Sequence, residues 1–173
     1  IKDYAKVFGL KSVVFRHSSI YGGRQFSSFD QGWVGWFCKQ AIKQKEDFSN
    51  KKLPKPFTIS GTGKQVRDLL HAEDLIRLYL EIYSKRENLE GDVFNIGGGV
   101  KNSLSLIELF RKLENFLEIN SLNYNKQKRR KSDQDYFVAD ISKIRDLIKW
   151  EPKIDVDSGL KLMIEWTYKL KQF

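Results

Sequence analysis

Hydrophobic and polar residues form alternating blocks along the chain, and these blocks predict strands and helices in turn. Short apolar runs bounded by turn residues are typical of buried strands, and they occupy residues 12–16, 57–59, 92–96 and 136–139. Apolar residues at helical spacing predict helices over residues 31–41, 75–83, 141–149 and 160–170. Polar composition predicts connections over residues 17–29, 45–56 and 118–135.

The most clearly marked helix begins after Ser105. Ser105 and Glu108 have the spacing of a capping box, and Leu104 and Leu109 have that of a hydrophobic staple. The first eight residues have the pattern of the end of a helix, with Gly9 at the position of its C-cap. Strands that alternate with helices predict an α/β protein, although two or three buried strands are too few for a complete doubly wound sheet.

Composition narrows the class of protein. The chain has 173 residues, of which 40% are hydrophobic and 31% charged, as in ordinary globular proteins. The apolar runs are far shorter than a membrane span, so we predict a cytoplasmic protein. One cysteine, Cys38, and two isolated histidines, His17 and His71, predict neither a disulfide framework nor a metal site.

The first residue and the net charge leave two questions open. The chain begins with Ile1 and its only methionine is Met163, so we expect a piece of a longer protein. The net charge of +9 admits a basic nucleic-acid-binding module. Because the excess is spread out except at residues 126–131, a cationic site for a small diphosphate ligand explains it more simply.

Three segments carry candidate chemistry. Residues 15–26 form a strand that opens into a glycine-rich loop, where ligands bind in open α/β sheets, although the loop could equally be an ordinary strand exit. In residues 57–75, the planar fork of Arg67 is suited to a pyrophosphate, although the same side chain could pair with Asp68 or Asp74. In the third segment, residues 130–140, Arg130 and Asp133 could present a phosphate-binding cation and a hydroxyl-accepting carboxylate together, or form an ordinary solvated charge cluster.

The order of these segments resembles the extended short-chain dehydrogenase/reductase family, whose members modify nucleotide-activated sugars. The family's R-x-x-N-x-Y-G-P motif corresponds to residues 16–23, its G-x-G-x-Q-x-R-D-x-x-H-V-x-D motif to residues 61–74, and its R-x-G-D motif to residues 130–133. The closing A-D-x-S-K motif begins at Ala139. The resemblance implies that residues 1–173 are the C-terminal part of a Rossmann-type enzyme with a small α/β substrate-binding domain, without the N-terminal NAD-binding half.

The resemblance also implies roles for residues that would hold a nucleotide-sugar substrate. Arg67 and Arg130 would bind the diphosphate, and Asp133 would bind the ribose. Thr58 and Ser60 would face the base from a strand edge.

Further residues are assigned by the same resemblance to the reacting end of the ligand. His17 and Ser18 would lie beside the nicotinamide of NAD, and Ser19, which replaces the usual Asn, beside the sugar or phosphate. Gln31 and Gly32 would open a helix whose amide groups reach a phosphate.

The catalytic parts of the family pattern are not matched. Neither Gly61-Thr62-Gly63 nor the run 97–99 continues into the G-x-x-G-x-x-G loop that holds NAD. The one Tyr-x-x-x-Lys, Tyr124 to Lys128, lies in a polar stretch, and we interpret it as a coincidence. The true pair is expected upstream of Ile1, so the chain alone is predicted to be inactive.

Within the family, the loop and the aromatic segment after it are most similar to 2-epimerases of CDP-linked dideoxyhexoses. The implied reaction is NAD-dependent 2-epimerisation of CDP-paratose and CDP-tyvelose, by a homo-oligomer. A 4-epimerase, a dehydratase or a decarboxylase of the same family remains open.

Overall fold

The computed structural model describes residues 1–170, and its elements alternate as an α/β protein requires. The helices are α1 Lys2–Phe8, α2 Trp33–Ser49, α3 Ala72–Ser84, α4 Leu106–Leu117, α5 Ser142–Ile148 and α6 Val156–Leu170. The strands are β1 Val13–His17, β2 Ser19–Tyr21, β3 Phe57–Ser60, β4 Val66–His71, β5 Asp92–Ile96, β6 Ser103–Ser105, β7 Tyr124–Gln127 and β8 Tyr136–Phe137.

Most strand pairs are parallel, as expected when helices connect the strands. Strand β1 pairs with β5, from Val13 opposite Asp92 to His17 opposite Ile96. Strand β4 pairs in parallel with β2 and β8 and antiparallel with β6. Strand β3 pairs with β7, with Ser60 opposite Gln127. The alternation predicted from the sequence is thereby confirmed.

Two hydrophobic cores lie on either side of strands β2 and β4. The larger core joins α2, α4 and α6 to β3, and the smaller core joins α3 and α5 to β1 and β5. Successive residues of β4 point to opposite sides, so Leu69 belongs to the larger core and Leu70 to the smaller one. Tyr21 and Ile20 of β2 divide in the same way.

The predicted helix ends agree with the structure where capping chemistry marks them. Ser105 Oγ accepts a hydrogen bond from the backbone N–H of Glu108 at 3.2 Å, and Glu108 Oε2 accepts one from Ser105 N at 2.7 Å. The capping box is therefore confirmed. Gly9 ends α1 with φ 64°, in the left-handed region that glycine occupies without strain.

Several predicted boundaries were wrong, each for a physical reason. Helix α2 continues to Ser49 through the predicted connection, because the polar Gln44 is buried and bonds the backbone of Lys55 and Asn123. Strand β7 lies in the predicted connection 118–135, because only its first residue, Tyr124, is partly buried and no apolar run marks the strand. Strands β2 and β4 were not predicted, since both of their faces contact cores and apolar alternation is lost.

No helix within residues 1–170 is long and apolar enough to cross a membrane. Among the same residues, no group of three histidine, cysteine or acidic side chains is arranged to hold a metal ion.

Candidate substrate-binding site

A cavity of about 270 Å³ opens between the start of α2, the polar face of β3, and the segment that follows β7. Six of the residues that were assigned to substrate binding line it together: Gly32, Thr58, Ser60, Arg67, Arg130 and Asp133. The remaining wall is formed by Phe29, Asp30, Trp33, Trp36, Phe37, Ile59, Gln65 and Leu106. Residues that are distant in sequence therefore converge on one concave surface.

The centre of the cavity is an ion pair between Arg67 and Asp133. Arg67 Nη2 donates to Asp133 Oδ1 at 2.7 Å, and Arg67 Nη1 donates to the carbonyl of Val66 at 2.7 Å. The two side chains retain 19% and 21% of their exposure, so the guanidinium still faces the cavity. Gln65 Nε2 lies 3.4 Å from Asp133 Oδ2 and supports the same carboxylate.

The alternative pairing of Arg67 with Asp68 or Asp74 is wrong, because both carboxylates are engaged elsewhere. Asp68 is fully buried and accepts hydrogen bonds from Ser18 Oγ and from Gly99 N. Asp74 pairs with Arg77 at 2.8 Å and accepts the backbone N–H groups of residues 153 and 154.

The polar wall of the cavity follows from alternation along β3. Phe57 and Ile59 are buried in the larger core, so Thr58 and Ser60 face the opposite side. Within residues 1–170, the exposed side chain of Arg130 makes no hydrogen bond or ion pair, so its charge is available to an anion.

The aromatic wall was not predicted as part of the site. Trp33, Trp36 and Phe37 were interpreted as the apolar face of a helix, and they do pack on the larger core. Phe29 meets Trp36 edge-to-face at 5.4 Å between ring centroids and adds a further ring. Three aromatic residues next to a helix-opening glycine were the signal that could have revealed this wall.

Comparison with known proteins assigns the fold and the family. The profile of the NAD-dependent epimerase/dehydratase family matches residues 1–97. The chain belongs to this family. Its α/β fold matches part of the Rossmann-type epimerase structures to which it is similar, and it covers about half of each of them.

Three similar proteins, one compared by sequence and two by structure, come from different bacteria. CDP-paratose 2-epimerase of Salmonella typhi is 53% identical over 95% of the chain and 47% of that relative. The crystal structure of UDP-glucose 4-epimerase from Thermotoga maritima, with UDP-glucose, superimposes with a TM-score of 0.80 at 27% identity, over 98% of this chain and 50% of that one. UDP-glucuronic acid 4-epimerase from Bacillus cereus, in complex with UDP-glucuronic acid and NAD, gives a TM-score of 0.76 at 27% identity, over 97% and 48%.

The chain spans about half the length of the curated relatives it matches.

Four residues assigned to ligand binding in this family member lie outside the cavity wall: His17, Ser18, Ser19 and Gln31. His17 ends β1, and its Nε2 lies 2.7 Å from Tyr79 Oη. Burial lowers the pKa of His17, which favours the neutral ring. The hydroxyl hydrogen of Ser18 is donated to the Asp68 carboxylate.

Ser19 and Gly32 connect the glycine-rich loop to the cavity. Ser19 Oγ accepts a hydrogen bond from Trp33 Nε1 at 3.3 Å, so it positions an indole of the wall. Gly32 precedes α2 with φ 71°, and a Cβ there would lie 2.9 Å from the Gln25 side chain. Glycine is therefore favoured at Gly32 by its left-handed conformation, since the Gln25 side chain is flexible and can move. Gln31 is exposed.

Tyr124 and Lys128 have an arrangement unsuited to a catalytic pair. Tyr124 lies on strand β7, where its ring stacks on Phe57 with centroids 5.8 Å apart, and Lys128 follows the end of that strand. Residues four apart on a strand are separated by roughly 13 Å along its axis, whereas on a helix they share one face. This geometry agrees with the interpretation of the motif as a coincidence.

Proposed function

We propose that the cavity binds the nucleoside diphosphate of a nucleotide sugar. The observation that carries this proposal is the convergence of Arg67, Asp133 and Arg130 on one pocket, from segments about sixty residues apart. A guanidinium that is already fixed by Asp133 can grip phosphate oxygens with little loss of side-chain entropy. The carboxylate of Asp133 then remains beside it to accept a ribose hydroxyl.

The relatives support the nature of the ligand and of the reaction. We infer that the protein, at the length of its relatives, acts as an NAD-dependent 2-epimerase of a CDP-linked dideoxyhexose. This follows the 53% identity to CDP-paratose 2-epimerase. The fold neighbour that was solved with UDP-glucuronic acid and NAD supports the use of both ligand classes.

We propose that NAD contacts the described residues at one position. His17 ends β1 exposed, at the carboxyl edge of the parallel strands, where ligands of such sheets bind. NAD, when bound, supplies a hydride acceptor. His17, which is bonded to Tyr79, would lie beside the nicotinamide ring. The hydroxyl hydrogen of Ser18 is donated to Asp68, so it is not free to bind NAD.

The division of labour within the chain follows from these contacts. Arg67, Arg130 and Asp133 would hold the nucleotide diphosphate firmly, while the sugar stays free to present either face. Turnover needs an acid–base group, and we propose that it lies outside residues 1–173. We expect the chain alone to show no conversion of CDP- or UDP-sugars with added NAD.

The experiment that tests the proposed ligand compares CDP with a single-stranded oligonucleotide, which represents the nucleic-acid alternative. Titration calorimetry with CDP should give saturable binding of one equivalent. A polynucleotide binder instead loses affinity with a steep slope on log salt, set by the number of phosphates it neutralises. Binding of the oligonucleotide that CDP does not displace, with no heat from CDP itself, would contradict the proposed function.

A further inference from the structure

The polar end of the cavity has a fixed pattern of hydrogen-bond donors and acceptors. Gln65 Nε2 lies 3.2 Å from the carbonyl oxygen of Ser60 and 3.4 Å from Asp133 Oδ2, so both of its amide hydrogens are engaged. Within residues 1–170, Gln65 Oε1 accepts no hydrogen bond, although the side chain lines the cavity. Gln65 therefore presents an acceptor.

The amide of Gln65 cannot reverse this pattern. A flip would turn Oε1 toward a carbonyl oxygen and a carboxylate oxygen, and all three of these groups are acceptors. The two internal hydrogen bonds thus fix the orientation in which Oε1 is left for a ligand.

Ser60 presents the opposite polarity beside it. Its Oγ accepts a hydrogen bond from Gln127 Nε2 at 3.0 Å, across the pairing of β3 with β7. A hydroxyl whose oxygen is occupied by an amide donor still has one hydrogen to give. Ser60 also lines the cavity, so this hydrogen is available to a bound group.

Cytosine and uracil present opposite patterns to such a wall. Cytosine carries an amino donor at N4 and an acceptor at the adjacent N3, whereas uracil carries an acceptor at O4 and an N–H donor at N3. An acceptor beside a donor therefore complements cytosine at both positions. Uracil would set O4 against Gln65 Oε1 and its N3–H against the Ser60 hydroxyl.

We propose that Ser60 and Gln65 select cytosine over uracil in the base subsite of this cavity, Gln65 Oε1 accepting from N4 and Ser60 Oγ–H donating to N3. The inference rests on the proposed function, because it requires a nucleoside diphosphate to occupy the cavity. The chain of contacts from Ser60 through Gln65 to Asp133 and Arg67 brings this wall next to the ribose and phosphate positions. The rings of Trp33, Trp36 and Phe29 supply apolar faces for a base.

Titration calorimetry of the chain with CDP and UDP, at one ionic strength, tests this selection. Two matched hydrogen bonds against two mismatches predict a preference for CDP of about 10- to 100-fold. Equal affinity for CDP and UDP would overturn the base selection while leaving the proposed function intact. Failure of both nucleotides to bind would instead contradict the proposed function.

Variants of the two wall residues separate their contributions. Ser60→Ala should weaken CDP several-fold while leaving UDP unchanged or tighter, because the mismatch with N3–H is removed. Gln65→Leu should likewise narrow the ratio of the two affinities. Arg111→Ala, on the exposed face of α4, is the control and should change neither affinity. If either wall variant weakens CDP and UDP by the same factor while its thermal unfolding is unchanged, that residue does not select the base.

Gln127→Leu provides an independent test, since it touches the base only through Ser60. Without the amide donor, the Ser60 hydroxyl is free to rotate and accept from uracil N3–H. UDP affinity should therefore rise relative to CDP. An unchanged ratio would show that Gln127 does not orient the hydroxyl and would overturn that part of the proposal.

Discussion

The two hydrophobic cores of the chain differ in how completely they are covered. The larger core is enclosed by helices α2, α4 and α6. Its aromatic side chains contact one another in a continuous cluster from Trp36 through Phe37 to Phe110. The smaller core leaves much of α3 uncovered, with Ile76 58%, Leu80 67% and Tyr83 65% exposed. The cavity that we propose to bind nucleotide is built on the enclosed core.

This difference teaches which part of the molecule can act by itself. The walls of the cavity pack on buried aromatic residues. The proposed diphosphate site of Arg67, Arg130 and Asp133, called the nucleotide grip below, should therefore form whether or not another surface covers α3. An exposed apolar patch of the kind on α3 favours association, and homo-oligomer formation remains a prediction. Phe94 and Ile96 are buried beneath α3 and α5, so the patch lies on the helix rather than on the strands.

The largest effect is expected from breaking the enclosed core. Phe110 is 2% exposed and contacts the rings of Phe37, Phe57 and Tyr124. Phe110→Ala should lower the free energy of unfolding by about 3–5 kcal/mol and abolish CDP binding, because β3 loses its support. Urea unfolding and calorimetry measure both effects.

The matched control for Phe110→Ala is Tyr83→Ala, a large aromatic on the open face of α3. It should change the free energy of unfolding by no more than about 0.5 kcal/mol. Similar losses for the two variants would show that the contrast between the two cores is not energetic.

The next effect concerns association through the open face of α3. Leu80→Glu should reduce self-association, since a charge on an exposed apolar patch must be desolvated in any contact. Sedimentation measures the change, with Leu162→Glu on α6, which is 40% exposed, as the comparison. If Leu162→Glu reduces self-association and Leu80→Glu does not, association does not proceed through α3 and this prediction is wrong.

A smaller effect is expected from His71, which caps α3. Its Nδ1 accepts the backbone N–H of Glu73 at 3.3 Å, and its buried Nε2 has no partner among the described residues. Burial lowers its pKa from 6.5, against the nearby charges of Glu73 and Asp74. The unfolded chain therefore binds more protons, and stability falls as the pH drops below 6.5.

The variant His71→Asn isolates this contribution, because asparagine also caps helices but does not titrate. His17 shifts in the same direction and is retained in both proteins. Between about pH 7.5 and 5, the free energy of unfolding should fall more for the wild type than for His71→Asn. Parallel curves would exclude His71 as the titrating group.

The smallest effect is expected from Tyr124→Phe. The hydroxyl of Tyr124 makes no hydrogen bond within residues 1–170, and the ring is what packs on Phe57. Stability and CDP affinity should change by less than about 0.5 kcal/mol. A large loss of CDP affinity would return this tyrosine to the candidate site.

The sequence alone was sufficient where one local interaction decides the structure. The capping box of α4 and the left-handed Gly9 depend on neighbours within a few residues, and both were predicted correctly. Strand β4 was not predicted because it separates two cores. Leu69 and Leu70 are therefore both buried, and the alternation of apolar and polar residues that marks a strand is lost.

The candidate site could be predicted less well from local sequence patterns. The pairing of Arg67 with Asp133 spans 66 residues, and no periodicity connects them. Family resemblance brought these residues together, and the structure places them in one cavity. The aromatic wall was missed because Trp33 and Trp36 serve the core and the cavity at once.

The most direct test of the proposed nucleotide grip is calorimetric titration of CDP into the wild type, Arg67→Lys, Arg67→Ala and the control Arg111→Ala. Arg67→Ala should weaken binding by about 1.5–3 kcal/mol, the range for a hydrogen bond to a charged group. Arg67→Lys should restore only part of it, since lysine keeps the charge and loses the fork. Arg111→Ala should bind like the wild type. CDP affinity that is unchanged in Arg67→Ala would contradict the account.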